Sequence, residues 1–206
     1  MSDKLLTFID LIKKKGKDPN RISVLLGEII ESKAVISRKE IIDFILTNKR
    51  LGYHTTPNDI AEFMAEIGRI FDPRSIIDIS CGLANTLAFV DYSEDLTGIE
   101  IDSEIISLTK YLLPELNLIL ADSLKYEFAR KYDLVISNFP YGIDIRESGQ
   151  RLPIEALFIK KALEILKPGG TLVCLLPDTF LKIKLCERLR EEILLNNSLE
   201  MVIQLP

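Results

Sequence analysis

The sequence has too few of the right residues for metal or disulfide chemistry. Its 206 residues include three cysteines (Cys81, Cys174 and Cys186) and one histidine, His54. The cysteines lie far apart, without the paired spacing of a zinc site or a disulfide framework. His54 completes no familiar ligand pattern with them, so no metal is expected. No apolar run is long enough to cross a bilayer. From residue 3 onward, apolar and charged residues alternate at helical spacing, unlike a secretory leader. Repeats and low-complexity segments are missing too. The expectation is a reduced protein of the cytoplasm with no membrane contact. Positive charge is also in short supply: 26 Lys and Arg stand against 31 Asp and Glu, a formal net charge of −5. No segment forms the dense basic stripe of a self-sufficient nucleic-acid binder. If the substrate were DNA or RNA, another chain would supply much of the phosphate neutralisation.

Hydrophobic residues are plentiful, at 47%, and the length fits one α/β domain with a short appendage. Residues 1–50 read as an N-terminal helical segment. Leu5 to Ile12, Ile22 to Ile30 and Ile41 to Leu46 are amphipathic at helical period, the last capped by Ser37 with Glu40 three residues on. Residues 51–206 form the second unit. Thr56-Pro57 predicts a helix start, with Thr56 as N-cap and Pro57 at the first helical position. The apolar face of that helix is Ile60, Phe63, Met64, Ile67 and Ile70. From Ser75 short apolar runs alternate with helical segments. Strands are expected at Ile76–Ile79, Leu96–Ile101, Leu118–Ala121, Leu134–Ser137, Leu172–Leu176 and Met201–Leu205. Helices are expected near 85–90, 103–113, 123–129, 154–166 and 179–195. Such alternation, with runs this apolar, means a mostly parallel sheet with helices on both faces. Ligands of such sheets bind beyond the carboxyl ends of the strands.

Those ends carry an ordered set of polar groups. The first strand ends in Asp78-Ile79-Ser80-Cys81-Gly82-Leu83-Ala84-Asn85, where Gly82 lets backbone approach a ligand and the next helix offers free N–H groups. The second ends in Glu100-Ile101-Asp102. A carboxylate there accepts two hydrogen bonds from a vicinal diol, while Asp102 with Ser103 reads as the start of the next helix. The third ends in Asp122-Ser123, a carboxylate able to accept from the exocyclic amine of a purine; capping of a following helix is the rival reading. The fourth ends in Asn138-Phe139-Pro140-Tyr141. Pro140 holds Phe139 extended and aims its carbonyl. The Asn138 side-chain oxygen and that carbonyl together match the two hydrogens of a neutral amine, with Tyr141 as a stacking face. An Asn-Pro turn with a packed tyrosine is the alternative.

This series resembles the adenine-specific N6 DNA methyltransferases, particularly the modification subunits of type I restriction–modification systems. The resemblance runs from about Gly52 to Pro206. It implies a Rossmann-like methyltransferase fold with S-adenosyl-L-methionine as cofactor. Tyr53 and Thr56 fall in the segment that helps hold the methionine carboxylate. Asp78, Ser80 and Gly82 match the cofactor loop, Glu100 with Ile101 the ribose end, and Asp122 with Ser123 the adenine end. Asn138, Phe139, Pro140 and Tyr141 match the Asn-Pro-Pro-Tyr catalytic motif. Leu166-Lys167-Pro168-Gly169-Gly170 and Val202-Ile203-Gln204-Leu205-Pro206 also fit. The implied reaction is direct transfer to N6 of a flipped-out adenine in DNA, with a separate specificity subunit or domain as partner.

Three departures qualify the match. Ala84 stands where the family usually has a second glycine, and fits if its φ is negative. Phe139 replaces the first proline, a pattern closer to ribosomal-RNA adenine dimethyltransferases. No sequence is found for a seventh, antiparallel strand or for a recognition domain, so the catalytic unit reads as truncated. The alternatives are an RNA or protein-glutamine amino-methyltransferase, or a non-catalytic cofactor-binding or assembly module. His54 is expected to be a surface or packing residue.

Overall fold

The computed structural model describes residues 55–147 and 150–205. The helices expected within residues 1–50, and the candidates Tyr53 and His54, lie outside the described residues. The first helix, α1, spans Asn58–Arg69. It begins one residue later than expected: Pro57 is the N-cap, with ψ 148°, and its carbonyl accepts the first helical bond from Ala61 N at 2.8 Å. Thr56 is therefore outside the helix and not its cap. The buried stripe is Ala61, Met64, Ala65 and Gly68. Of the apolar residues expected on this face, Phe63 and Ile70 are instead exposed. Close approach decided the phase. A Cβ at Gly68 would meet the Tyr92 hydroxyl at 2.7 Å and Leu134 at 2.8 Å, so the helix lies on the sheet by its smallest residues.

Five parallel strands form the sheet: β1 (Ser75–Asp78), β2 (Asp95–Glu100), β3 (Asn117–Leu120), β4 (Tyr132–Asn138) and, after the two hairpin strands described below, β7 (Leu166–Leu175). Their spatial order is β3-β2-β1-β4-β7. The chain winds outward from β1 in one direction through β2 and β3, then in the other through β4 and β7. The crevice between the carboxyl ends of β1 and β4 is thus the switch point at which such folds bind ligands. Ile76, Ile77, Leu134, Val135 and Ile136 are fully buried; each stabilises the sheet by about 2 kcal/mol relative to exposure. Helix α2 (Ser103–Leu112) connects β2 to β3. The expected role of Asp102 is seen at its start, where Oδ1 accepts from Ile105 N at 3.2 Å.

Several expected elements are corrected. The helix near 85–90 is a single 3-10 turn, Leu87–Phe89. Residues 123–129 form no helix beyond the turn in which Lys125 N and Tyr126 N bond to Asp122 O. Leu124, Tyr126 and Phe128 all pack on one core, and that spacing of two suits extended backbone rather than a helix. The segment expected as one helix over 179–195 is broken into α4 (Thr179–Lys182), a 3-10 turn at Lys184–Cys186, and α5 (Glu187–Asn196). Ile183 is extended at the break, with ψ 125°. Phe180 and Cys186, six residues apart, would point about 120° apart on a straight helix; both are buried in the same core. Arg190 Nη1 donates to the carbonyls of Phe180 and Ile183, at 2.8 and 2.9 Å, replacing the helical bonds lost there.

An antiparallel hairpin, β5 (Asp144–Glu147) and β6 (Gln150–Pro153), follows Tyr141 and was not expected. It leads into α3, Ile154–Ile165, close to the predicted helix. Strand β7 starts at Leu166, earlier than expected, with a register shift against β4 between Tyr132 and Leu134. Met201–Leu205 forms no strand. No described strand lies alongside to complete its hydrogen bonds, and Met201, Val202 and Ile203 are exposed.

Candidate functional site

At the β1–β4 switch point the ends of the two strands are tied together through side chains. Asp78, the last residue of β1, is 2% exposed. Its Oδ1 accepts from Ser80 N at 3.0 Å and from the Ser137 hydroxyl. Burial pushes the Asp78 carboxyl up to about 7, against those two hydrogen bonds, and the nearby Glu100 adds to the rise. Ser80 Oγ lies 2.8 Å from Ser137 Oγ and 3.2 Å from the Asn138 carbonyl. Since Ser137 gives its proton to Asp78, Ser80 is the donor in this pair. The chain of bonds aligns the glycine loop with the start of the Asn138 motif.

The loop itself turns on left-handed backbone. Gly82 has φ +52°, and a Cβ there would meet nothing within 4 Å. Its N–H donates to Glu100 Oε2 at 2.9 Å, while Glu100 Oε1 accepts from Ile101 N and Asp102 N, at 2.8 and 2.9 Å. A carboxylate has about four lone-pair sites, so three backbone N–H groups leave Glu100 one. Beside it Ile101 is 68% exposed. Ala84 departs from its expected conformation: its φ is +53°, not negative, and it is fully buried. An alanine thus occupies the backbone shape for which glycine is usual, at a cost of about 1 kcal/mol.

At the third strand end, Asp122 Oδ1 accepts from Leu124 N at 3.1 Å, and Oδ2 pairs with Lys125 at 3.0 Å. Ser123 is buried and donates to the Ile79 carbonyl. Both side chains therefore act in shaping the turn. At the fourth end, Asn138 Nδ2 donates to Thr56 Oγ1 at 3.1 Å. Asn138 Oδ1 is buried and has no partner among the described residues. Phe139 is 1% exposed, its ring 5.5 Å from that of Phe158. The bulky side chain points into the core, so the change from proline leaves the backbone path open. Pro140 is partly buried and Tyr141 is 46% exposed.

Three residues that sequence reasoning did not single out complete the site. Asn85 is buried; its Nδ2 bonds the Thr56 carbonyl and Asn58 Oδ1. Thr109, on α2, shares its hydroxyl hydrogen between the Gly82 carbonyl at 2.9 Å and the Ile105 carbonyl at 2.8 Å. Ser137 supplies the bridge to Asp78. Asn85 and Ser137 adjoin motifs already noted, which was the only available signal. Thr109 sits mid-helix and had none. No group of three or more His, Cys, Asp or Glu suited to a metal ion occurs among the described residues. No described helix is long and apolar enough to cross a membrane.

A model of the Eco57I restriction-modification methylase family matches residues 91–206. This chain belongs to that family. Among proteins similar to this chain, a dTDP-3-amino-3,4,6-trideoxy-alpha-D-glucopyranose N,N-dimethyltransferase of Streptomyces venezuelae is 24% identical over 149 residues, which cover 70% of this chain and 60% of that protein. A type I restriction-modification system methyltransferase subunit from Streptococcus thermophilus superposes with TM-score 0.59 at 20% identity, covering 68% of this chain and 38% of that one. A modification subunit assigned to a type I restriction enzyme of Vibrio vulnificus gives TM-score 0.62 at 19% identity, covering 82% and 47%. The chain therefore spans about three fifths of the curated relative's length and less than half of either structure's. The structural likenesses show the fold alone, a mostly parallel Rossmann-like sheet, as expected from the strand–helix alternation.

Proposed function

We propose that this methylase transfers a methyl group from S-adenosyl-L-methionine to the N6 amine of adenine in DNA. The observation that carries the reading is Asn138 Oδ1, a buried acceptor at the switch point without a partner among the described residues. An orphaned buried acceptor costs about 1–3 kcal/mol, and such a group calls for an explanation in a native fold. A neutral amine donating one hydrogen to this oxygen supplies it. The Phe139 carbonyl, held extended before Pro140, is the second acceptor, and Tyr141 offers its ring to the base.

The residues of the other strand ends fit the cofactor. Gly82 presents bare backbone with open space over it. Glu100 keeps one lone-pair site for a ribose hydroxyl, and Ile101 offers exposed apolar surface beside it. Asp122 and Ser123 shape the adenine end, and Asp78 and Ser80 hold the loop. When bound, S-adenosyl-L-methionine supplies an electrophilic methyl on a positively charged sulfur. The chain's own part is alignment. With both amine hydrogens held, the nitrogen lone pair is directed along a fixed line, and no strong base is required before attack.

The net charge of −5 favours a separate specificity subunit or domain that supplies much of the phosphate contact. The site of action is the cytoplasm. The test is incubation with labelled cofactor and a panel of acceptors: adenine-containing DNA, RNA, a glutamine peptide and an amino sugar nucleotide, the last because of the Streptomyces relative's stated activity. Labelling of adenine in DNA, lost in Asn138→Ala, is the expected result. Labelling confined to another acceptor would overturn the substrate. Calorimetric binding of the cofactor without transfer to any acceptor would overturn the enzyme.

A further inference from the structure

We propose that Thr56 is a positioning residue that sets which end of the Asn138 amide faces the acceptor. The inference rests on the amino-methyltransferase reading above and adds a residue to it. Thr56 is 6% exposed, lies just outside α1, and does not cap that helix. Its carbonyl is held by Asn85 Nδ2, which also bonds Asn58 Oδ1 at 3.0 Å. Thr56 is thus clamped against the glycine loop, and its hydroxyl oxygen receives Asn138 Nδ2 at 3.1 Å.

On the other side, the Asn138 carbonyl lies 3.2 Å from Ser80 Oγ and shares with Ser137 the single hydroxyl hydrogen of Ser80, so the backbone at Asn138 is held as well. The remaining freedom of the side chain is rotation of its amide. Turned as it is, the amide gives a hydrogen to Thr56 and leaves Oδ1 as the open acceptor. Turned over, it would take the Thr56 proton and present an NH2 group to the site. A donor there has nothing to offer an incoming amine, whose own hydrogens need acceptors. Orphaned buried N–H groups are also rarer than under-satisfied carbonyl oxygens, so the flipped state is the worse one even before substrate arrives. Thr56 therefore makes the amide chemically asymmetric at a place where its shape is not.

The experiment reads the amide directly. In 15N-labelled protein the Asn138 side-chain NH2 pair is identified by its loss in Asn138→Ala. Thr56→Val, which keeps the shape and removes the acceptor, is expected to shift or broaden that pair. It should lower kcat for methyl transfer at least ten-fold while changing the cofactor KM less. Thr56→Ser is expected to restore both the amide signal and kcat. An Asn138 amide signal unchanged in Thr56→Val would overturn the proposal. So would a serine variant as impaired as the valine one, because loss of packing rather than loss of the acceptor would then be responsible. The amide signal does not depend on turnover. Failure of Thr56 as a positioner is thereby distinguished from failure of the methyltransferase reading, which cofactor binding without transfer to any acceptor by the unsubstituted protein would reveal.

Discussion

The two ends of the same sheet solve the problem of buried polar groups in opposite ways. At the amino ends, Asp133 accepts from Ser75 N and Ser75 Oγ, at 2.9 and 2.7 Å, and Lys167 reaches both carboxylate oxygens, at 2.9 and 3.0 Å. Partial burial pushes the Asp133 carboxyl up, but Lys167 and Ser75 outweigh it and hold the group down at about 2. At the carboxyl ends, Asp78 has a backbone and a hydroxyl donor and, among the described residues, no cation. Burial wins there, and the group rises to about 7. One residue beyond the hydroxyl that serves Asp78, Asn138 Oδ1 is left with no partner among the described residues. A closed cluster of opposite charges holds strands together and needs nothing more. A cluster short of donors can still bind something. The two ends therefore differ in what they leave unsatisfied among the described residues.

The largest expected effect is on chemistry. Asn138→Ala removes an acceptor that makes no bond through Oδ1 among the described residues, so methyl transfer should fall by about 100-fold or more, while loss of the Nδ2 bond to Thr56 costs only about 1 kcal/mol of stability. A large loss of Tm with preserved transfer would mean that this end is structural too, and the contrast between the ends would collapse. Next comes binding. Gly82→Ala meets nothing within 4 Å, so in the free protein it costs only the left-handed strain, about 1 kcal/mol. The added methyl covers the bare backbone proposed to meet the cofactor, and calorimetry should show its Kd raised about ten-fold, or about 1.4 kcal/mol.

Opposite pKa shifts predict opposite pH slopes. The folded state holds the Asp78 proton more tightly than the unfolded chain, whose value is 3.8. Its contribution to stability is complete below that value and is lost as pH rises through about 7. For Asp133 the folded value is depressed. That contribution is present above the unfolded value and is lost as pH falls toward about 2. Each slope is at most about 1.4 kcal/mol per pH unit. Denaturation across pH should show that Asp78→Asn removes a decline between about pH 4 and 7. Asp133→Asn should remove a rise between about pH 2 and 4. Slopes of the same sign would break the comparison. The smallest effect is expected at Ala84→Gly. Relief of φ +53° is worth about 1 kcal/mol, and loss of a buried methyl offsets about 0.8 kcal/mol of it. Thermal denaturation should show a change close to zero.

Much of the fold and of the candidate site is legible in the amino-acid sequence. The apolar runs at Ile76–Ile79, Leu96–Ile101, Leu118–Ala121 and Leu134–Ser137, each within a residue or two of an observed strand, declare themselves because buried parallel strands need continuous hydrophobic side chains. The polar residues at their ends stand out because each interrupts such a run. Boundaries that depend on fit are not legible in this way. The largest apolar residues of α1 suggest one helical phase, whereas the close approach at Gly68 turns the small ones inward. Leu124, Tyr126 and Phe128 alternate at spacing two, a pattern too short to outweigh the helix expected there. The hairpin after Tyr141 has short strands with charged residues, and its pairing is a tertiary event.

By itself, then, the sequence determined where most strands of the sheet lie along the chain, the family and the place where chemistry is sought, because hydrophobic periodicity and local turn chemistry are properties of neighbouring residues. Only the tertiary structure decided what each candidate does there. Thr56 and Asn138 are 82 positions apart in the chain, and Asp78 and Ser137 are 59 apart. Whether a carboxylate is spent on backbone, as at Glu100, or an amide oxygen is left open, as at Asn138, depends on which donors the fold carries to it across those distances.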